Sequence, residues 1–139
     1  MAVFLANNVG VKVNSVDLSD HVTAVTLNRS FDELEVTAMG DSGHKFVKGL
    51  ESSSVTIDFL NDINPTGSVG SVLQAAWGTS VTLVLLQTKG TAVSATNPLY
   101  TMTVLVNGTS DVMGGADIAK QSVTWNVVGT VAVATTGSF

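Results

Sequence analysis

The architecture is set within residues 16–59 by three runs: Val22-Thr23-Ala24-Val25-Thr26-Leu27, Leu34-Glu35-Val36-Thr37-Ala38-Met39 and Val55-Thr56-Ile57-Asp58-Phe59. Apolar and polar residues mostly alternate in each run, which is typical of a half-buried β-strand. In the third run the alternation is complete, so its apolar residues share one face and Thr56 and Asp58 share the other. The three runs therefore predict three strands around a common core.

Two connections separate these strands. Asp32 and Glu33 are charged and turn-like, and we interpret them as a turn between the first two strands. Residues 40–49 contain three glycines, no regular period and two lysines around one aromatic residue. This composition predicts a long extended loop, because hairpin connections usually need only two to five residues.

Residues 68–77 carry the one helical pattern in the sequence. Apolar residues fall at i, i+3, i+4, i+7 and i+8: Val69, Val72, Leu73, Ala76 and Trp77. Ser68 or Thr66 can cap the start of this helix, and Gly78 can end it. A helix of about ten residues is marginal alone, so we expect it to lie on a sheet with Trp77 in the core.

The strand at residues 80–87 is apolar on both faces. Val81, Leu83 and Leu85 point one way, whereas Val84 and Leu86 point the other. One face meets the core, and the other requires a cover such as the helix or a neighbouring subunit. Val84 and Leu86 are therefore candidates for a subunit interface.

The remaining pattern predicts further strands at residues 100–106 and 119–128, the latter with Trp125 on its apolar face. Residues 1–13 form a first hairpin or an N-terminal arm, and residues 135–139 form a flexible tail. We predict a single domain over residues 1–139. Its fold class is mainly β, an antiparallel β-sandwich or partly open barrel with one short α-helix and a long extended loop.

Composition narrows the function. The chain is 45% hydrophobic and only 12% charged, about half the charged fraction of an ordinary soluble domain. We interpret this as a surface of small polar residues, much of it buried against copies of the same chain. The net charge of −5 and the scattered lysines argue against tight binding of DNA or RNA, which requires cations against the phosphates. No apolar run is long enough to cross a membrane, and an N-terminus without positive charge predicts no secretory signal.

Catalytic and metal-binding motifs are better explained as turns. Gly40-Asp41-Ser42-Gly43 matches the phrase around the nucleophile of chymotrypsin-like proteases, but that fold places its serine far along the chain, after the histidine and aspartate. Residues 62–67 start like a calcium loop, yet its twelfth position would be Leu73 instead of glutamate. The two histidines, His21 and His44, are too few for a zinc site in a chain without cysteine. We therefore expect no catalytic, metal or cofactor site.

A family resemblance rests on short phrases spread over most of the chain. They are Val13-Asn14-Ser15-Val16-Asp17-Leu18-Ser19-Asp20-His21-Val22, Val25-Thr26-Leu27-Asn28-Arg29-Ser30, Glu35-Val36-Thr37-Ala38-Met39-Gly40-Asp41, residues 54–59, residues 94–100 and Ser122-Val123-Thr124-Trp125. In these phrases and in strand order the chain resembles the major tail tube proteins of long-tailed, siphovirus-type bacteriophages. None of the phrases carries a catalytic or ligand-binding mechanism.

The resemblance implies a structural virion protein of the phage tail, made in the cytoplasm of a host bacterium. Members of this family stack as hexameric rings, and each subunit lends strands to a β-barrel around the DNA channel. The implied partners are the chain itself, the tape measure protein and the tail terminator and tip proteins. DNA passes through without tight binding, and no membrane is involved.

Within this interpretation, the loop at residues 40–49 reaches the neighbouring ring. Phe46 and Val47 are apolar residues that a purely solvated loop has no reason to display, and Lys45 and Lys48 flank them. We predict these four residues as the contact between rings. Two other functions stay open: a head-decoration or head-closure protein, and a carbohydrate-binding β-sandwich that would need an exposed aromatic platform.

Overall fold

The computed structural model describes residues 3–62, 64 and 67–139. These ranges contain one α-helix, α1 (Val69–Ala76), one 3-10 turn (Ser19–His21) and eleven strands. The strands are β1 (Gly10–Val13), β2 (Val16–Asp17), β3 (Val22–Asn28), β4 (Phe31–Glu35), β5 (Phe46–Glu51), β6 (Ser54–Leu60), β7 (Ser80–Leu86), β8 (Leu99–Leu105), β9 (Ser110–Asp111), β10 (Lys120–Asn126) and β11 (Ala132–Ala134).

The strands form two main sheets and one separate hairpin. One sheet has five strands in the order β11-β8-β7-β1-β2, and the other has four in the order β3-β6-β10-β9. Strands β4 and β5 pair only with each other. All strand pairings are antiparallel, and no barrel closes within the described ranges. The prediction of a mainly β, antiparallel fold with one short helix is confirmed.

The core lies between the two main sheets, and the period-two pattern explains which residues fill it. In β6, Val55, Ile57 and Phe59 are buried while the residues between them are half-buried, as predicted. Trp125 of β10 is fully buried, and its indole N–H donates to the carbonyl of Gly108 at 3.1 Å. A buried indole that keeps a hydrogen-bond partner adds apolar area without an unsatisfied polar atom.

Helix α1 closes the core with the predicted stripe, from which Val69, Leu73 and Ala76 are buried. Ser68 caps it by accepting the N–H of Ser71 at 3.2 Å, whereas the alternative cap, Thr66, lies outside the described residues. The predicted core position of Trp77 is wrong, since this side chain is 52% exposed. Trp77 is the C-cap residue with ψ of 126°, so its backbone has left the helix and its ring leaves the stripe.

The second predicted strand is displaced and does not face the core. The strand β4 starts at Phe31 and ends at Glu35, so Asp32 and Glu33 lie within it rather than in a turn, and all five of its residues are exposed. The predicted loop at residues 40–49 is likewise displaced toward the N-terminus, because β4 ends at Glu35 and β5 begins at Phe46, so that the connection runs over residues 36–45. Alternation of apolar and polar residues indicates a strand with two different faces. It does not indicate whether the apolar face is buried within the same chain.

The segment before β1 is joined to the loop after β7, and the C-terminal residue packs on the five-stranded sheet. Residues 3–9 lie outside any strand, and the backbone N–H of Lys89 donates to the carbonyl of Asn8 at 2.7 Å. Strand β1 pairs with β2 through a tight turn at Asn14 and Ser15, both at positive φ. At the other end, in the segment predicted to be flexible, the half-buried ring of Phe139 packs against Gly10.

Candidate assembly surfaces

The exposed apolar side chains are concentrated on the hairpin of β4 and β5, which with its turn spans residues 31–51 and is called the arm below. Seven large apolar side chains of the arm are each about half exposed or more: Phe31, Leu34, Val36, Met39, Phe46, Val47 and Leu50. An isolated two-stranded ribbon is marginally stable in water, and an exposed apolar patch of this kind marks an interaction site. The arm is therefore the first candidate surface.

The arm presents two different faces. Leu34 lies opposite Val47, and Glu35 lies opposite Phe46; directly opposed residues share a face, and neighbours along a strand alternate. One face is thus apolar around Leu34 and Val47. The other carries Phe46 among charged groups that include Glu35.

The base of the arm is fixed to the sandwich. The N–H of Ser52 donates to the carbonyl of Ser30 at 2.7 Å, and the Ser30 hydroxyl donates to the carbonyl of Ser52 at 2.5 Å. The carboxylate of Glu51 accepts the N–H of Val131 at 2.8 Å, which joins the arm to the chain before β11. The arm therefore leaves the body in a defined direction.

The turn of the arm is held by one carboxylate. Asp41 accepts the N–H of Ala38 at 2.8 Å and pairs with the ammonium of Lys45 at 2.8 Å. The Lys45 ammonium, and then the Ala38 N–H, hold the pKa of Asp41 below its ordinary value of 3.8. The backbone N–H of Lys45 donates to the Thr37 hydroxyl at 2.9 Å, so a ten-residue connection is ordered by its own side chains.

The residues predicted from the sequence lie in two separate places. Phe46, Val47 and Lys48 are in β5, with Lys45 just before them, so the structure keeps this group together on the arm. The Lys48 ammonium stands 5.6 Å from the centre of the Phe31 ring.

The other pair lies on the outer face of the five-stranded sheet. Val84 is half-buried there, whereas Leu86 is only 2% exposed. Leu86 is thus already covered within its own chain, and an interface role for this pair stays a prediction.

Sequence reasoning missed part of the exposed apolar surface on both strands of the arm. Phe31, Leu34 and Leu50 were not predicted as contacts, although Leu50 is 80% exposed. The available signal was the second alternation at residues 46–51, where Phe46, Lys48 and Leu50 share one side. The alternation at residues 46–51, taken together with residues 31–35, indicates a two-stranded hairpin. No third strand is predicted that would cover its apolar side chains.

The outward face of the four-stranded sheet is polar and almost uncharged. Thr26, Thr56 and Thr124 stand side by side across β3, β6 and β10, and the hydroxyl oxygens of the last two are 3.2 Å apart. The next row carries the carboxylate of Asp58, which accepts the Ser122 hydroxyl at 2.7 Å. Beyond it lie Leu60 and Lys120, so this face offers mainly hydrogen bonds, with one carboxylate and one ammonium group.

The same sheet ends in two outer strands, β3 and β9. Beside β3 runs a cleft of about 450 Å³ that is lined in part by Val25, Leu27 and Tyr100. Strand edges with unpaired backbone groups are templates for pairing with another chain. The edges are therefore a second candidate surface.

The chemical motifs weighed from the sequence sit in unrelated places. His21 pairs with Asp62 at 3.1 Å, and His44 of the arm pairs with Glu35 at 3.4 Å. Ser42 lies in the exposed turn of the arm. Within the part of the chain that the structure describes, no group of three potential metal-ligating side chains occurs, and no helix has the length and apolar character to span a membrane.

The sequence matches no family model and no curated protein. The fold, in contrast, is shared with chains of solved assemblies. A chain in the virion of a native gene transfer agent particle matches with a TM-score of 0.74 at 8% identity, over 94% of this chain and 98% of that one. A chain in the tail of the empty gene transfer agent particle, computed with C6 symmetry, gives 0.61 at 9% identity, over 81% of each chain. A chain in the six-fold symmetrised baseplate of the anti-feeding prophage gives 0.57 at 8% identity, over 96% and 97%.

Proposed function

We propose that this chain is a structural, non-enzymatic subunit of a phage tail or phage-tail-like particle, and specifically a tail tube subunit that stacks as hexameric rings around a DNA channel. The observation that carries the proposal is the shared fold over nearly the full length of both chains, at a TM-score of 0.74, with a chain of the gene transfer agent virion. Such a subunit resides in the virion tail. Its expected neighbours are further copies, a tape measure protein and the terminator and tip proteins of a tail.

The strand order supports a ring. In the sheet β3-β6-β10-β9 each strand runs antiparallel to the next, so the two outer strands, β3 and β9, also run in opposite directions. When β9 of one copy lies beside β3 of the next, the antiparallel alternation continues without a break. Such a contact joins two different surfaces, and repeated contacts of this kind generate a closed ring when the rotation closes.

The arm supports stacking. The arm is a β-hairpin fixed at its base, with apolar side chains on both faces. The pairing of β4 with β5 leaves these side chains exposed. Full burial of an exposed Phe or Val side chain contributes roughly 1.5 to 3 kcal/mol, and because Phe46 and Val47 are already about half buried, a neighbouring ring that covers one of them gains about half of this. The flanking Lys45 and Lys48 contribute less, because exposed ion pairs are worth about 0 to 1 kcal/mol.

The outward face of the four-stranded sheet is the proposed channel wall. It carries hydroxyl and amide groups and the Asp58 carboxylate, and at one end it carries Lys120 opposite Leu60. It therefore holds DNA phosphates weakly, because tight binding needs several cations. A face with one lysine, which is already paired with Asp117, suits passage better than capture.

A baseplate or tail-end ring is the second candidate, and the likeness to the anti-feeding prophage baseplate chain favours it. A ring component of that kind uses the same edge contacts but does not stack on further copies of itself. The two functions therefore differ in the polymer that the purified chain forms.

Negative-stain electron microscopy of the concentrated protein tests the proposal. A tail tube subunit gives long hollow tubes, and a tail-end component gives single six-membered rings or short stacks. The matched control is the same preparation at a tenfold lower concentration, at which polymers that form by mass action are reduced. Exclusively monomeric protein at millimolar concentration contradicts both functions.

A further inference from the structure

The C-terminal segment crosses the outer face of the five-stranded sheet. Strand β11 ends at Ala134, and Gly137 at φ 101° reverses the chain, so that Ser138 and Phe139 return to the sheet. The Phe139 ring lies over Gly10, and the Lys12 ammonium stands 4.5 Å from the ring centre. Residues 135–139 are called the strap below.

Gly10 makes room for this ring. A Cβ at residue 10 would lie 2.9 Å from Cζ of Phe139, and its next two contacts are also with the ring. The backbone of Gly10 is not in the left-handed region, so its conformation does not itself require glycine. Glycine within a strand marks a place where another group approaches closely, and here that group is Phe139.

The strap covers the apolar part of this face. Leu86 is the cross-strand partner of Gly10, and since Leu85 belongs to the core, Leu86 points outward with Gly10. It is nevertheless only 2% exposed. Val84 is two residues away, and it lines a cleft of about 310 Å³ together with Phe139.

The strap is held by few contacts. Among the described residues, no hydrogen bond joins residues 135–139 to the rest of the chain, and its bend is exposed. Its attachment consists of one half-buried ring and the neighbouring Lys12 ammonium. Segments with few buried contacts and no backbone hydrogen bonds open at low free energy.

We propose that the strap is a displaceable cover, and that its release exposes Val84 and Leu86 as a docking surface for a second copy of this chain. The second copy as occupant rests on the proposed function, in which the chain assembles with itself. The cover keeps an apolar strip out of water in the free subunit. Assembly through this face then requires Phe139 to leave the notch at Gly10.

The release is tested in the free subunit by thiol labelling. The chain has no cysteine, so Val84→Cys introduces a unique thiol beside the ring. In that background, Gly10→Ala pushes the ring out and Phe139→Ala removes it. The matched control is Gly108→Ala, because a Cβ at residue 108 meets nothing within 4 Å.

Both strap variants should raise the rate of thiol modification by about tenfold, which corresponds to about 1.4 kcal/mol of lost docking free energy, while the Gly108→Ala control leaves it unchanged. Equal rates in all four proteins overturn the displaceable cover. Far-ultraviolet circular dichroism of each variant shows whether a faster thiol modification is due to unfolding. A strap variant that is folded and is modified at the parent's rate contradicts the proposal.

The docking surface is tested by the protein concentration at which polymers appear in sedimentation and electron microscopy, with residue 84 left as valine. Gly10→Ala and Phe139→Ala should both lower this concentration relative to Gly108→Ala. If the thiol becomes exposed but the concentration at which polymers appear is unchanged or higher, a second copy does not dock on this face. The strap is then a structural clamp only. If the parent and all variants fail to polymerise, the proposed function and this occupant fall, while the thiol rates still decide whether the strap opens.

Discussion

Individual residues organise the surfaces of this chain through short polar contacts. Asp41 holds the turn of the arm, and Asp17 ties the segment before the 3-10 turn to Lys89 at 2.9 Å and to the N–H of Ser19 at 3.0 Å. Burial alone would raise the pKa of Asp17, but the bonds from Ser19 and Lys89 outweigh it and leave the pKa lowered. A carboxylate that fixes the local backbone through such hydrogen bonds and ion pairs no longer does so once it is protonated.

The turn of the arm should therefore loosen in acid. The folded pKa of Asp41 is lowered, so its contribution is complete above the ordinary value of 3.8 and is lost as the pH falls through the lower folded pKa. We expect the amide resonance of Ala38 in an NMR titration to shift with a midpoint below 3.8. In the control, Asp41→Asn, this amide should show no such midpoint, and a midpoint at or above 3.8 in the parent would contradict the assignment.

At the scale of elements, the arm and the helix differ in where their apolar faces are satisfied. Helix α1 buries Leu73 to 1% exposure inside its own chain, whereas the arm leaves Leu34 at 52%. Both patterns are amphipathic in sequence. The difference is that the buried stripe of α1 joins the core, to which both main sheets contribute, whereas the arm has a single partner strand.

Replacing both Phe46 and Val47 by serine should leave the subunit folded and abolish or greatly weaken tube growth. The two side chains occupy opposite faces of the arm, so the single substitutions also report which face meets the next ring. Electron microscopy and sedimentation measure polymer formation, and circular dichroism shows whether each variant is folded. The control is Lys48→Ser, which leaves the Asp41–Lys45 pair of the turn intact and should change growth less, because an exposed ion pair is worth about 0 to 1 kcal/mol. Parental growth of the Phe46 and Val47 double variant, or its unfolding, would show that the arm is not the contact between rings.

Truncating Leu73 to alanine should destabilise the chain by about 2 to 5 kcal/mol, because it removes a fully buried side chain and leaves a cavity. Gln74→Ala, one residue along the same helix but exposed, should change stability by less than about 0.5 kcal/mol. Urea unfolding of monomeric protein measures both. Equal losses in the two variants would mean that α1 does not pack on the core through this stripe.

Sequence pattern predicted the elements whose partners lie in the same chain. Residues 55–59 and Trp125 were placed correctly because a strand between two neighbours shows its burial as strict alternation. The first strand of the arm was misplaced because the charges of Asp32 and Glu33 suggested a turn. A strand that buries neither face can hold charged side chains without a desolvation cost. Trp77 was misplaced because the stripe continues for one residue after the helix geometry ends. Contacts distant in sequence, such as Phe139 on Gly10, have no periodic signal at all.

At the scale of the whole molecule, low charge and the distribution of apolar surface favour assembly over binding of small ligands or polyanions. The net charge is −5, with six basic residues in 139, and Lys45, Lys89 and Lys120 are already paired with aspartates. Few free cations are left to meet phosphates. The apolar groups, in contrast, are exposed at the arm and beside the edge of β3.

The purified chain should therefore show no measurable affinity for duplex DNA at about 0.15 M salt, where the Debye length is about 8 Å. Fluorescence anisotropy with a labelled duplex measures this, for the subunit and for its polymer. A basic DNA-binding domain at equal concentration serves as the positive control. Binding that weakens steeply with added salt would reveal a cationic surface and contradict the proposed channel wall.

The row formed by Thr26, Thr56 and Thr124 bears on how easily a polymer would slide along this sheet. A hydroxyl both donates and accepts, so each one can exchange a partner for water without leaving an unmet bond. A chain of phosphates drawn past such a wall would meet many weak, interchangeable contacts and no deep trap. In the proposed channel such a row would give low friction, because readily exchanged water would stand in place of strong attraction or repulsion.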